Sequence, residues 1–179
     1  MTSQLEKKLK SFSSQNIIDA MSFLGWDQTM IHGPRPLFKG KKIFGEAVTL
    51  RFVHFRKDLL QDLPKKDESA EYKAFELCGP GKVLVASSIG PWESIGGDIK
   101  FLRLFQKKAA GIVTDGSVRD SKALEKYNFP VFAHSFTSKQ GPGIMLPISV
   151  NDNINCGGIL VRPGDYILGD DDGVVVFPK

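Results

Sequence analysis

The order of hydrophobic and polar positions predicts a chain that mixes helices with strands. Residues 3–24 place apolar side chains at helical spacing, which predicts one or two amphipathic helices, with Ser13 or Ser14 capping the second. The segments that follow also show regular patterns: strands at 43–53 and 82–87, a helix at 69–78, and exposed loops at 33–36 and 58–69.

The segment from Gly96 to Asp120 predicts a loop, a helix and a returning strand. Gly96-Gly97 is typical of a loop, and Asp98 is a favoured residue type for a helix N-cap. The apolar residues that follow recur at the spacing of one buried helix face: Ile99, Leu102, Phe105 and Ala109. We expect Gly111 to end this helix, because glycine favours helix termini, and residues 112–114 to form a short buried strand.

The spacing of the polar residues in this segment predicts a site. Twenty residues separate Asp98 from the pair Arg119-Asp120, about the length that a helix and a return strand require. Arg119-Asp120 would then follow the carboxyl end of a strand, where open α/β sheets bind ligands. Two carboxylates, an arginine and a helix N-terminus meeting at one edge suit a divalent metal that holds a small oxyacid.

The rest of the chain completes a mixed α/β prediction. Beyond residue 111, short strands alternate with Gly/Pro turns and one short helix near 121–127, and residues 155–179 are typical of a hairpin. We therefore expect a mixed sheet and not a doubly wound parallel sheet, within a single domain over residues 1–179.

Composition restricts the class of protein. Hydrophobic residues make up 41% and charged residues 25% of the chain, as in ordinary globular proteins. No apolar run approaches the roughly 20 residues of a membrane span, and residues 1–10 lack the apolar centre of a secretory signal. Cys78 and Cys156 lack zinc spacing. We expect both to be reduced thiols in a cytoplasmic protein.

The charge admits two interpretations. A net charge of +4 and a pI near 9.0 are compatible with RNA binding. The basic residues, however, occur in short scattered pairs such as Lys41-Lys42 and Lys107-Lys108, without interleaved aromatic residues. This distribution favours a solvated surface that attracts anionic substrates over a nucleic-acid partner.

Several motifs, in this order, resemble the class II pyruvate aldolases of the 4-hydroxy-4-methyl-2-oxoglutarate aldolase family. The wider superfamily includes the regulator of ribonuclease activity A (RraA-like) proteins. The central match is Asp98, twenty residues, then Arg119-Asp120. Supporting segments lie along most of the chain: residues 14–20, 45–49, 79–85, 130–133, 161–165 and 169–176.

The resemblance implies a fold, a cofactor and roles for the site residues. The fold would be a three-layer β/β/α swivelling domain, assembled as a homotrimer or a dimer of trimers. Asp120 would bind Mg²⁺ or Mn²⁺, Asp98 would act through a metal-bound water, and Arg119 would contact the pyruvyl oxygens. Gly97 and the amides of Ile99 and Lys100 would contact the anionic substrate. The expected reactions are cleavage of 4-hydroxy-2-oxoacids to pyruvate and decarboxylation of oxaloacetate.

A non-catalytic regulator that binds a ribonuclease is the alternative. The chain ends at Lys179, whereas aldolases of this family usually continue into a helical segment that contributes an acid to a neighbouring subunit's site. That length resembles the regulator branch, but regulators typically lack the acid found here as Asp98. We expect the lyase activity, with the identity of the oxoacid left open.

Overall fold

The computed structural model describes residues 4–179, in which helices and strands are mixed along the chain. The α-helices in this range are α1 (Gln4–Ser11), α2 (Ser14–Phe23), α3 (Lys57–Asp62), α4 (Ala70–Leu77), α5 (Asp98–Gln106) and α6 (Ser121–Tyr127). A short 3-10 helix spans Lys66–Glu68. None of the helices between residues 4 and 179 has the length and apolar character that crossing a membrane requires.

The strands form one large mixed sheet and one small hairpin. They are β1 (Met30–Ile31), β2 (Arg35–Pro36), β3 (Ile43–His54), β4 (Lys82–Ser87), β5 (Gly111–Thr114), β6 (Val131–Ala133), β7 (Met145–Val150), β8 (Ile154–Cys156), β9 (Ile159–Val161), β10 (Tyr166–Asp170) and β11 (Gly173–Phe177). The large sheet runs β1-β11-β10-β3-β4-β5-β6-β2, and β7 also pairs with β3. Strands β3 to β6 are parallel, whereas the outer pairs are antiparallel. The predicted mixed α/β fold with a mixed sheet is therefore confirmed.

Alternate residues of the central strands supply two separate cores. On β4, Leu84 and Ala86 pack with residues of the helices, among them Phe101 and Leu104 of α5. Val83 and Val85 point the other way and pack with Ile154, Cys156 and Val161 of the β8-β9 hairpin. Because successive side chains of a strand alternate between faces, the parallel strands are buried on both sides. Packing on both faces holds β4 and β5 in position, and the loops that carry Asp98, Arg119 and Asp120 follow these strands.

Most predicted elements are found, with some corrections. The strands at 43–53 and 82–87 and the helices at 69–78 and 121–127 agree with the structure to within a few residues. The single hairpin predicted over residues 155–179 is instead two hairpins, β8-β9 in the small sheet and β10-β11 in the large one. Two helices fill the region of the predicted helix at 3–24, whose first residue lies outside the described range, and Ser13 caps the second. The predicted loop at 58–69 is wrong, since it contains α3 and the 3-10 helix. The loop at 33–36 contains β2, an edge strand, where proline is tolerated.

Helix α5 buries a different face from the one predicted. Phe101 and Leu104 are its fully buried residues, whereas Ile99 is 85% exposed and Phe105 is also exposed. The predicted helix end is also wrong: α5 stops at Gln106, Lys108 adopts a left-handed φ of 58°, and Gly111 begins β5. The spacing of apolar residues identified the helix, but its packing against the sheet decided which of them are buried.

This correction predicts unequal effects of two truncations in α5. Leu104→Ala removes a buried side chain and should lower the free energy of unfolding by about 2–5 kcal/mol. Ile99→Ala should change it by no more than about 0.5 kcal/mol, because the side chain is exposed. Urea denaturation of both variants measures the difference. Equal losses would mean that α5 packs through the face containing Ile99.

Candidate active site

Three loops at the carboxyl ends of β4, β5 and β6 are joined by backbone hydrogen bonds that extend the sheet beyond its strands. Ile95 N–H donates to Ser117 O at 3.1 Å, and Arg119 N–H donates to Gly96 O at 2.9 Å. On the other side, Thr137 N–H donates to Val118 O at 2.9 Å. The loop that carries Arg119 and Asp120 is therefore held between its two neighbours, and both residues have fixed backbone positions.

Asp120 directs its carboxylate at the start of α5. Its backbone is in the left-handed region, with φ of 65°, which is uncommon for a residue other than glycine. Although Asp120 is the N-cap residue of α6, its side chain caps nothing there. Instead, Asp120 Oδ2 accepts a hydrogen bond of 3.0 Å from Asp98 N–H. The first amide of α5 is thus satisfied by a carboxylate from another helix.

Gly97 makes this contact possible by having no side chain. A Cβ built at Gly97 would lie 2.2 Å from Asp120 Oδ2 and 3.1 Å from Arg119 Cβ. The backbone φ at Gly97 is −162°, which any residue adopts, so the restriction is steric. Gly97 also occupies the N-cap position of α5, which corrects the prediction that Asp98 is the N-cap.

The Asp98 side chain is oriented by a residue that the sequence did not indicate. Tyr127, at the end of α6, donates its hydroxyl to Asp98 Oδ1. The hydrogen bond to Asp98, followed by partial desolvation, raises the pKa of Tyr127 above its usual value. Because Asp98 and Tyr127 lie on different helices, 29 residues apart, no local motif points to this pair.

The Arg119 guanidinium has no protein partner within residues 4–179. Asp115 and Asp120 are the acidic residues nearest to Arg119 in the sequence, yet in the described part of the chain no carboxylate forms an ion pair or hydrogen bond with it. Asp115 instead accepts backbone hydrogen bonds from Ser88 at 2.7 Å and Gly157 at 2.8 Å. Burial raises the pKa of the Asp115 carboxyl. The Arg119 donors are available to a ligand.

Two adjoining clefts surround these residues. The outer cleft, of about 810 Å³, is open and lined by Asp98, Arg119 and Asp120 together with α6 residues and Thr137. The inner cleft, of about 290 Å³, is lined by Gly96, Gly97 and Lys100 and by the same three charged residues. Every predicted site residue therefore lies at one place: Gly97, Asp98, Ile99, Lys100, Arg119 and Asp120.

The residues predicted to bind substrate differ in whether their backbone amides or their side chains are available to a ligand. The amides of Ile99 and Lys100 lie in the first turn of α5, where no earlier helical carbonyl can accept from them. The Ile99 side chain projects into solvent. The Lys100 ammonium is not free, since it forms an ion pair of 2.6 Å with Glu71 of α4. Lys100 is therefore available through its amide and not through its charge.

The oxygen ligands beside the inner cleft are compatible with a hard divalent cation. Asp98 and Asp120 place two carboxylates there, and the space next to Gly97 is one that a Cβ would fill. Across residues 4–179, no three His, Cys, Asp or Glu side chains gather as a complete metal cage. Mg²⁺ and Mn²⁺ commonly take one or two carboxylates and complete their shell with water and substrate oxygens. The residues present fit that mode of binding.

Thiol chemistry has no support at this site. Both cysteines are buried and free. Burial raises the pKa of the Cys78 thiol to about 12 and also raises that of Cys156. A thiol with a raised pKa is a poor nucleophile and a poor metal ligand at neutral pH.

Comparison with known proteins gives consistent matches. The RraA-like family model, described as Aldolase/RraA, matches residues 14–176. An uncharacterised protein of Methanocaldococcus jannaschii is 31% identical over 175 residues, covering 96% of this chain and 75% of that protein. A protein of Halalkalibacterium halodurans, provisionally named 4-hydroxy-4-methyl-2-oxoglutarate aldolase, is 34% identical over 150 residues. That match covers 81% of this chain but only 64% of the relative's own length.

A solved structure supports the same grouping. Streptomyces coelicolor RraAS2, described as an unusual member of the RNase ES inhibitor RraA protein family, superposes with a TM-score of 0.88 at 29% identity. The superposition covers 99% of this chain and 86% of that one. The similarity therefore extends over the whole sheet and the loops that carry the candidate site.

The steric role of Gly97 predicts the effect of adding one methyl group. Gly97→Ala should displace the Asp120 carboxylate and weaken Mn²⁺ binding by about ten-fold or more, as loss of a supporting contact typically does. Gly90→Ala is the matched control, since a Cβ there meets nothing closer than 4.0 Å. Calorimetric titration with Mn²⁺ compares the two. Unchanged affinity in Gly97→Ala would show that Asp120 does not hold the cation in this position.

Proposed function

The chain belongs to the RraA-like (Aldolase/RraA) family, and we propose that it is a divalent-metal-dependent lyase that cleaves 4-hydroxy-2-oxoacids to pyruvate. One observation carries the proposal. The Asp120 carboxylate is fixed against the start of α5 while the neighbouring Arg119 guanidinium has no protein partner within the described chain. A fixed carboxylate beside a free arginine is an arrangement that suits a metal ion and an anionic substrate together.

Asp120 would hold Mg²⁺ or Mn²⁺ with Asp98 beside it, and the ion would polarise the ketone and carboxylate oxygens of the substrate as a Lewis acid. Arg119 contributes a planar fork of donors that matches a carboxylate, or an oxygen that gains charge as the C–C bond breaks. The first-turn amides of Ile99 and Lys100 present further donors to the anion. These groups favour the enolate of pyruvate over the intact substrate, which is the requirement for catalysis.

Proton transfer is the role proposed for Asp98. Cleavage removes the proton of the 4-hydroxyl group and later delivers one to the methyl carbon of pyruvate. Tyr127 holds one Asp98 oxygen, and Asp98 lines both clefts, so we propose that Asp98 accepts and returns a proton through a water molecule. The same site would decarboxylate oxaloacetate, because loss of CO₂ generates the same pyruvate enolate.

We also propose that the protein assembles as a homotrimer or a dimer of trimers. The outer cleft is open, and its rim carries the exposed apolar residues Ile99 and Phe136. Clefts of this kind are often completed at subunit boundaries.

A regulator of ribonuclease activity is the second candidate. It is favoured by the similarity to RraAS2, which is described within an RNase inhibitor family. A regulator would use this surface to bind a protein and would need neither turnover nor a cation.

Replacing Arg119 tests whether catalysis requires the paired donors of its guanidinium or only its positive charge. Arg119→Lys keeps the charge but loses the paired donors, so it should lower kcat about 10²–10³-fold, nearly as much as Arg119→Ala. Pyruvate release with Mg²⁺ and Mn²⁺ provides the measurement. A lysine variant close to wild-type activity would assign Arg119 to general electrostatic attraction.

The deciding experiment separates the two carboxylates. Asp120→Asn should abolish Mn²⁺ binding and turnover, since the amide lacks the charge that holds the cation. Asp98→Ala leaves the Asp98 amide in place for Asp120, so it should retain much of the oxalate and Mn²⁺ affinity while kcat falls about 10²–10⁴-fold.

The wild type serves as the reference in that experiment, assayed on 4-hydroxy-2-oxoacids and oxaloacetate with both metals. If it released no pyruvate from any of them, the lyase proposal would be rejected and the regulator favoured.

Sedimentation tests the proposed assembly. At micromolar concentration we expect the mass of three or six chains. A single species with the mass of one chain, 19.8 kDa, would contradict the assembly.

A further inference from the structure

A third cavity, which we name the apolar pocket, lies beside the inner cleft. It has a volume of about 340 Å³, and most of its wall is apolar: Phe52, Phe55, Leu60, Met145, Leu146 and Pro147. Ser94, Lys100, Gly141 and Pro142 line both the apolar pocket and the inner cleft. The two spaces therefore adjoin, and a ligand seated at Gly97 and Arg119 has the pocket next to it.

The walls are built from well-packed strands and one helix. Phe52 of β3 faces Pro147 of β7, directly after a register shift between Arg51 and Phe52. Met145 and Leu146 are buried, so the floor of the pocket is formed by the sheet. Leu60 of α3 also lines the pocket and is 41% exposed. The pocket is thus a preformed feature of β3, β7 and α3.

The charge of the pocket indicates what it accepts. Its charged lining residues are Glu71 and Lys100, and their 2.6 Å ion pair neutralises both. A substrate carboxylate entering here would lose water without gaining a free cation, because Lys100 is already paired with Glu71. A neutral hydrocarbon group meets no such cost and gains by leaving water.

We propose that the apolar pocket binds the C4 substituent of the substrate, which makes the substrate class 4-hydroxy-2-oxoacids with an apolar alkyl or aryl group at C4. The inference rests on the proposed lyase function. The pyruvyl end occupies the inner cleft at Gly97 and Arg119, and the substituent passes Gly141 and Pro142 into the pocket. A volume of about 340 Å³ is at the small end of ligand sites and suits a branched alkyl or phenyl group.

Kinetics test the preference directly. We expect kcat/KM for 4-hydroxy-4-phenyl-2-oxobutanoate to exceed that for 4-hydroxy-2-oxoglutarate, which has a carboxylate at C4, by about ten-fold or more. Leu60→Asn places a neutral polar group in the pocket lining and should reduce turnover of the phenyl substrate about ten-fold, and reduce that of 4-hydroxy-2-oxoglutarate much less. Leu160→Asn, at a position 59% exposed on β9, is the matched control. A preference for the carboxylate substrate would overturn the proposal.

A binding measurement distinguishes this proposal from the lyase function. 4-Phenyl-2-oxobutanoate lacks the 4-hydroxyl group and cannot be cleaved. In protein carrying ¹³C-methyl methionine, with Mg²⁺ present, it should shift the Met145 signal, and 2-oxoglutarate at the same concentration should not. Met21 and Met30 line none of the three cavities and act as internal controls.

The outcomes are separable. An unmoved Met145 signal would overturn the pocket assignment even if pyruvate is released from other substrates. A shifted Met145 signal with no turnover of any substrate would support the pocket as a binding site and reject the lyase function.

Discussion

The contact between the Asp120 carboxylate and the backbone at the start of α5 is the interaction on which the site depends. It requires a missing side chain at Gly97, a left-handed backbone at Asp120, and loops held in register beyond the ends of β4, β5 and β6. Each requirement comes from a different segment, and each is met. A carboxylate at a helix N-terminus is stabilised by the helix dipole and by the amide it accepts from. The Asp120 carboxylate is therefore held in place before any ligand arrives.

The position of the Asp120 carboxylate also affects which charged groups nearby are paired. Because Asp120 is engaged by the Asp98 amide, and Asp115 by the amides of Ser88 and Gly157, neither carboxylate pairs with Arg119. Lys100 is likewise engaged, because its ammonium group forms an ion pair with Glu71. Within residues 4–179, the Arg119 guanidinium is thus unpaired next to two carboxylates, while the charged residues that line the apolar pocket are paired with each other. The separation of a charged region from an apolar one follows from these pairings.

The sequence predicted the elements of the site better than its contacts. Asp98, Arg119 and Asp120 were brought together by counting the residues of a helix and a return strand, and that argument needs only the topology. The buried face of α5 was predicted wrongly, because Ile99 and Phe105 have helical spacing but the sheet lies against Phe101 and Leu104. Tyr127 was missed because its partner is 29 residues away. Gly97 was predicted as a loop residue and a substrate contact but not as a steric requirement, since the atom that excludes a Cβ belongs to Asp120.

The cost of the Asp120 conformation bears on the choice between enzyme and regulator. A non-glycine residue in the left-handed region costs of order 1 kcal/mol, less for aspartate than for most residues, and such positions persist where the surrounding structure holds them. A surface that only docks a protein has no need for this cost, because an aspartate in a relaxed loop would present the same charge. It also has no need for the close contact between Gly97 and the Asp120 carboxylate. The strained aspartate, the absent Cβ and the free arginine are, however, what a site requires if it must hold a small cation and an oxoacid at fixed distances.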